Sequence, residues 1–104
     1  MLYKKTKPIA VHPGEILTML MKEHDLTQTL LASALGVPQT KVSLICNGRL
    51  GISAEMSLKL EKAIGMKAKL WLSLQKNWEL SQVSLEKLKK VKKLKLTEET
   101  KEAA

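Results

Sequence analysis

Apolar residues recur at helical spacing along most of the chain, and turn-forming residues separate the apolar runs. The first run places four apolar residues on one stripe: Ile16, Leu17, Leu20 and Met21. Such a stripe is typical of a helix that buries one face. Pro13 suits the first helical position, and Glu15 suits the positive end of the helix dipole. We therefore predict a first helix that begins at Pro13 and ends near His24.

Capping and turn residues predict four further helices. Thr27 and Ser53 are residues favoured at an N-cap, and Ile52 stands where a hydrophobic staple would be. Gly36 suits the left-handed residue that ends a helix, and an Asn-Gly pair at residues 47–48 favours a turn. The predicted helices are Gln28 to Leu35, Pro38 to about Cys46, a fourth that follows Ser53 and ends at Gly65, and about Ala68 to Leu80.

The two ends of the chain differ from the helical middle. Residues 1–12 are predicted to be a short arm with three lysines, residues 13–82 the folded domain, and residues 83–104 a basic tail. The tail holds six lysines between Glu86 and Lys95, with apolar residues at 85, 88, 91 and 94. This pattern fits an amphipathic basic helix and fits equally a frayed tail that is helical only in part. Its role is either solubilising or non-specific phosphate binding.

Composition narrows the class of protein. The 104 residues suffice for one domain. Aromatic residues make up 3%, so the core must be aliphatic, which favours helices over a β-sandwich. The net charge of +8 favours an anionic partner, with nucleic acid first. The single cysteine excludes an intrachain disulfide. Because no apolar stretch reaches ~18 residues and no secretory signal is evident, we expect a cytoplasmic or nucleoid-associated protein without a membrane partner.

Residues that would carry catalysis or bind a cofactor do not form a recognisable pattern. The sequence has no glycine-rich phosphate loop, and its acidic residues are scattered. His12, His24 and Cys46 lack the spacing of metal ligands, so we expect packing or surface roles for them. The sequence therefore predicts no enzyme, no cofactor and no metal.

The most informative segment is Gln28 to Gly48. Two short helices joined by a turn of three or four residues with a glycine are typical of a DNA-reading helix-turn-helix. Helices that cross steeply need a small residue at their closest approach, which Ala32 provides, and Gly36 permits the positive φ of the turn. The positions that must be buried are all apolar: Leu31, Leu35, Val37, Val42 and Ile45.

The sequence resembles the xenobiotic-response-element class of helix-turn-helix proteins, to which the phage Cro and cI repressors belong. More closely, it resembles the HigA/VapI antitoxins of toxin–antitoxin modules. The matching segments are His12 to Leu17, Leu35-Gly36-Val37, Asn47-Gly48-Arg49, Leu60 to Gly65, and Trp71 to Trp78, within about residues 9–82. The resemblance implies an all-α, five-helix Cro/cI-like (lambda-repressor-like) fold, with the Lys-rich C-terminal extension outside it.

The resemblance also implies a DNA-binding face. The third helix would lie in the major groove, with Gln39 pairing with adenine and Gln28 and Asn47 holding phosphates. The DNA-binding residues so predicted are Gln28, Gln39, Thr40, Lys41, Ser43, Leu44, Asn47 and Arg49. The alternative is an ordinary solvated helix face. Two departures from the pattern are Pro38, where relatives often have a hydroxyl cap, and the apolar residues at 30 and 44, one of which would face protein rather than DNA.

On the fifth helix, Trp71, Leu74 and Trp78 form a stripe that fits either a dimer interface or core packing. The resemblance implies a homodimeric repressor that binds operator DNA, autoregulates its operon and acts as the antitoxin of a HigB-like ribonuclease toxin. Such toxins are basic, so electrostatics would oppose their association with this basic chain. The alternatives are a stand-alone regulator without a toxin, and a basic nucleoid or RNA-binding module.

Overall fold

Five α-helices make up the folded part of the protein in a computed structural model that describes residues 10–97. They are α1 (Pro13–Glu23), α2 (Gln28–Leu35), α3 (Gln39–Cys46), α4 (Ala54–Ile64) and α5 (Ala68–Gln82), and a short 3-10 helix, Leu85–Leu88, follows. No strand occurs within residues 10–97, so the all-α prediction is confirmed. Pro38 is the N-cap of α3 rather than its first residue, because its ψ of 147° is extended. Helix α5 ends two residues later than predicted.

The helices begin and end where local chemistry favours it. The Thr27 hydroxyl accepts a hydrogen bond from the Leu30 N–H at 3.0 Å, and the Ser53 hydroxyl accepts one from the Met56 N–H at 3.1 Å. Gly36 ends α2 with a φ of 71°, a conformation that costs glycine little. These residues fix where α2 and α4 begin and where α2 ends.

The core is aliphatic except for one indole. Its buried members are Leu17, Met21, Leu31, Ala32, Leu35, Val42, Ile45, Ile52, Met56, Leu60 and Trp71. Helix α1 packs against both α3 and α5, α2 packs against α3 and α4, and α4 packs against α5. One face of α3 therefore packs against α1 and α2, and the opposite face is on the surface.

Beyond α5 the chain leaves the core. After the 3-10 helix, residues 91–97 have no regular secondary structure. Leu88, Val91 and Leu94 are 36%, 70% and 74% exposed, and none of them belongs to the core or packs against it. Over residues 83–97 the tail is thus helical only in part, the second of the two alternatives. Residues 1–9 of the predicted arm and residues 98–104 of the predicted tail lie outside the described residues.

Between residues 10 and 97, no single helix has the length and apolar character needed to cross a membrane. Taken together, the bent pair α2 and α3 has the length and composition of such a segment, and this is the one respect in which it resembles one.

Candidate nucleic-acid interface

The corner between α2 and α3 is closed as the sequence predicted. The chain turns by 116° between the two helices, within the range of a helix-turn-helix unit. Ala32 is 3% exposed at this crossing, and the Val37 N–H donates to its carbonyl oxygen at 3.0 Å. Because Gly36 takes the left-handed conformation, the chain reverses within three residues and starts α3 at Gln39.

Helix α3 has one buried and one outward face. Val42 and Ile45 are fully buried beneath it. The residues predicted to contact DNA include three that are exposed on α3: Gln39, Thr40 and Leu44. Lys41 and Ser43 are half-buried. The outer face is thus largely polar, and Pro38 adds no side-chain cap to its N-terminal end.

Two glutamines meet at the start of this face. The Nε2 of Gln39 donates a hydrogen bond to the Oε1 of Gln28 at 2.7 Å, which joins the first residue of α3 to the first residue of α2. Gln39 keeps one free N–H and a free carbonyl oxygen. That is the donor and acceptor set that pairs with the N7 and N6 groups of adenine. The sequence predicted both residues but not their pairing, which requires the angle of the corner.

The other predicted contacts lie at the far end of α3. Asn47 and Arg49 are exposed in the turn that follows the helix. The Arg49 N–H donates to the Leu44 carbonyl oxygen at 2.9 Å, and the Asn47 side chain lies 3.5 Å from the Ser43 hydroxyl. Leu44 is 42% exposed and Leu30 55% exposed, so both apolar side chains face outward in the single chain. The predicted DNA roles of these residues remain predictions.

Helix α1 approaches the end of α3 through a glycine. A Cβ on Gly14 would overlap the Ile45 carbonyl oxygen, so no larger residue fits between the two backbones. His12 caps α1, because its Nδ1 accepts from the Gly14 N–H at 2.9 Å. Burial lowers the pKa of His12, and the nearby Glu15 carboxylate opposes this shift. The sequence analysis expected a packing or surface role for His12 and did not predict that its side chain caps α1.

His12 also links the end of α3 to α5. Its ring lies edge-on to the Trp78 ring, with centroids 4.8 Å apart and an interplanar angle of 80°. Its Cγ lies 4.0 Å from where a Cβ on Gly48 would stand. The turn after α3, the start of α1 and the C-terminal half of α5 therefore meet around one imidazole.

The predicted stripe on α5 divides between core and surface. Trp71 is 0% exposed and has no side-chain surface to offer a second chain, so core packing describes it and a direct dimer contact does not. The C-terminal part of the stripe is less covered than Trp71. Leu74 and Trp78 are half-buried, and their dimer contacts remain a prediction.

Cys46, the last residue of α3, is also half-buried, with its thiol 3.9 Å from the Met21 sulfur.

Gln75 is a polar residue within this stripe, and sequence reasoning gave it no role. It is 6% exposed, and its Oε1 accepts from the Ile52 N–H at 2.7 Å. Its Nε2 donates to Glu79 at 2.9 Å, and this bond, with help from Lys76, lowers the pKa of Glu79. Gln75 therefore ties α5 to the loop between α3 and α4. The sequence placed it within the matching segment Trp71 to Trp78, as a carboxamide among apolar residues, but did not indicate its partners.

No group of three or more His, Cys, Asp or Glu side chains within residues 10–97 is arranged to hold a metal ion. The steeply crossed pair of α2 and α3, with the polar face of α3 outward, has the arrangement of a helix-turn-helix unit, the class of fold that places its second helix in the major groove of DNA.

Comparison with known proteins agrees with this class. The family described as "Helix-turn-helix" matches residues 17–71. Virulence-associated protein A' of Dichelobacter nodosus is 40% identical over 73 residues, which cover 69% of this chain and 64% of that relative. The structure of Pseudomonas aeruginosa antitoxin HigA with the higBA promoter is 35% identical, with a TM-score of 0.68 over 70% of this chain and 80% of the other. Antitoxin GraA in complex with its operator is 32% identical, with a TM-score of 0.80 over 90% of this chain and all of the other.

The chain belongs to the helix-turn-helix family, and within it is similar to HigA-type antitoxins. The resemblance drawn from the sequence and the predicted Cro/cI-like fold are thereby confirmed.

Proposed function

We propose that this protein is a homodimeric, sequence-specific DNA-binding repressor that autoregulates its operon and acts as the antitoxin of a HigB-like ribonuclease toxin. The observation that carries the proposal is the Gln28–Gln39 hydrogen bond of 2.7 Å on the outer face of the helix pair. It fixes one end of the Gln39 carboxamide and leaves the other end to pair with a base. HigA and GraA, to which this chain is similar, were solved with promoter or operator DNA, which supports a DNA-binding role.

On DNA, the start of α3 enters the major groove and the residues divide by role. Gln39 pairs with adenine, Thr40 and Ser43 bond bases or phosphate, and Leu44 contacts a thymine methyl group. Gln28 donates its free amide N–H groups to a flanking phosphate. The remaining phosphate contacts are Lys41, Asn47 and Arg49. Phosphate contacts set position and affinity, whereas the base contacts select the sequence.

The protein acts as a dimer because one eight-residue helix covers too few base pairs to define an operator. A two-fold dimer reads two half-sites about 34–36 Å apart. Leu74 and Trp78, which retain exposed surface on α5, are the residues we assign to the interface. The protein works in the cytoplasm, associated with the nucleoid.

The antitoxin role rests on similarity to HigA and GraA, which are named as antitoxins. The net charge of +8 favours the second candidate, a stand-alone regulator, because a basic toxin would be repelled. Co-expression with the small reading frame beside the gene separates the two. Rescue of growth and co-purification of the two proteins support the antitoxin. Growth inhibition that this chain does not relieve, or a neighbour that is harmless alone, supports the solitary regulator.

The DNA-reading role is tested by Gln39→Ala. We expect the affinity for the operator to fall by about 1–3 kcal/mol, with non-specific binding nearly unchanged. The control is Gln82→Ala, which removes an exposed carboxamide at the end of α5. The measurement is a mobility-shift titration at fixed salt, using DNA from upstream of the gene and a scrambled duplex. An equal fall in affinity for both duplexes would show that Gln39 does not read bases.

A further inference from the structure

A strongly basic segment follows the five helices and adds no residue to the hydrophobic core. Residues 83–97, here called the lysine segment, contain six lysines and one glutamate, a net charge of +5 out of the chain's +8. Its lysines are exposed. Within residues 10–97, Lys89 is the one lysine of the segment in an ion pair, at 3.0 Å from Glu86, and that pair is itself exposed. Most of the segment's charge is therefore available to an external anion.

The helix that leads into the segment is linked to the end of α3 through His12. Trp78 contacts His12, and His12 lies beside the Gly48 turn that carries Asn47 and Arg49. Helix α5 continues for only four residues after Trp78, about 6 Å of helix, before the segment begins. The segment thus begins one helical turn after a residue whose contacts lead to the turn that carries Asn47 and Arg49.

The segment is also long enough to reach DNA beyond those contacts. Residues 89–97 follow the 3-10 helix, with a turn at residues 89–90 and no regular structure from residue 91 onward. Nine residues in extended conformation span ~30 Å, at roughly 3.3 Å per residue. Successive base pairs of duplex DNA lie ~3.4 Å apart, so the span matches on the order of nine base pairs. Lysines at alternating and adjacent positions along this span suit a row of phosphates rather than one bound ion.

We propose that the lysine segment binds the backbone phosphates of duplex DNA that flanks the site read by α3. The inference rests on the proposed function, because it takes α3 to be docked on an operator. The segment adds affinity without adding sequence preference, since phosphates are the same at every base pair. The protein's footprint is accordingly longer than the helix-turn-helix alone would cover.

The test compares two variants that lower the net charge by the same three units. The segment variant carries Lys90→Gln, Lys92→Gln and Lys93→Gln. The control variant carries Lys62→Gln, Lys67→Gln and Lys69→Gln, all exposed on α4 and around the start of α5. The wild-type protein and both variants, each full-length, are titrated over a range of salt concentrations with the operator trimmed to the base pairs that the segment variant protects in footprinting. The titrations are repeated with the same core extended by about ten base pairs of arbitrary sequence on each side, a length set by the reach of the segment.

For the segment variant we expect the salt dependence of binding to flatten on the extended duplex. The slope of log K against log salt should fall by about one for each phosphate that the removed lysines no longer neutralise. On the trimmed duplex the segment variant should match the control variant. Equal slopes for the two variants on the extended duplex would overturn the inference. A parallel titration uses single-stranded RNA of the same length. If the segment variant loses affinity for this RNA and not for the extended duplex, the segment binds RNA and the inference is also overturned.

The same titrations, with a scrambled duplex of the trimmed length added, report separately on the proposed function. If the wild-type protein binds the trimmed operator no better than a scrambled duplex, α3 does not read a sequence and the proposed function fails. If it prefers the operator but the flanks change neither its affinity nor its salt dependence, only the role of the lysine segment fails.

Discussion

Gly51 and Gln75 should be energetically coupled, because the glycine leaves the space that the carboxamide occupies. A Cβ on Gly51 would stand 2.7 Å from Nε2 and 2.9 Å from Oε1 of Gln75. That carboxamide is buried, accepts from the Ile52 N–H and donates to Glu79. In Gly51→Ala the carboxamide of Gln75 must therefore move, and we expect its hydrogen bond to the Ile52 N–H to be lost.

The expected magnitudes follow from that one N–H group. A buried donor left without a partner costs about 1–3 kcal/mol, so Gly51→Ala should lower the free energy of unfolding by about that amount. Gln75→Ala should cost at least as much, since it removes the same bond and some packing. In the double variant the added methyl group meets no carboxamide, and Gly51→Ala should cost nearly nothing more. The coupling energy between the two sites is then about 1–3 kcal/mol.

Urea denaturation of the four proteins, each at the same protomer concentration, measures this cycle. The total stability of a domain, about 5–15 kcal/mol, leaves room for each single variant to remain folded. If Gly51→Ala costs the same with Gln75 present or absent, the two side chains do not compete for one space. Gln75 would then not be the residue that holds the loop after α3 to α5.

Two further predictions concern the start of α1. Gly14→Ala should lower the free energy of unfolding by about 3 kcal/mol or more, because α1 must move away from the Ile45 carbonyl. Gly36→Ala, the control, should cost about 1 kcal/mol, since only its left-handed φ opposes the substitution; equal costs in thermal unfolding would contradict the close approach. The pKa of His12 is lowered in the folded protein, so its contribution to stability is present above pH ~6.5 and is lost as the pH falls below that value. His12→Asn keeps a cap acceptor without titrating, and its urea-denaturation midpoint should vary less between pH 5 and 8 than that of wild type; an unchanged pH profile would show that His12 is not responsible.

The fold was predictable where local chemistry decides it. Thr27, Ser53 and Gly36 act within one helical turn of themselves, so their residue types were enough to bound the helices. The helix-turn-helix corner was predictable for a similar reason, because its need for Ala32 and Gly36 arises from sterics within a short segment.

The contacts that sequence reasoning missed join residues far apart in the chain. Gln75 bonds an N–H 23 residues away, and no local pattern indicates which buried amide a carboxamide will find. The Gln28–Gln39 pair spans 11 residues and exists only at the observed helix angle. The periodicity correctly placed Trp71 and Trp78 on one face of α5. It does not indicate how far along α5 this face stays buried, so it could not predict that Trp71 is buried and Trp78 only half-buried.

The two indoles give the protein a pair of built-in optical probes. Trp71 is sealed in the core, and its Nε1 has no hydrogen-bond partner within the described structure, so its emission should be blue-shifted and report on global unfolding. Trp78 keeps part of its surface and touches an imidazole at the junction of α1 and α5. In a Trp71→Phe protein the remaining fluorescence would follow this junction alone, and could record association at α5 separately from the melting of the core.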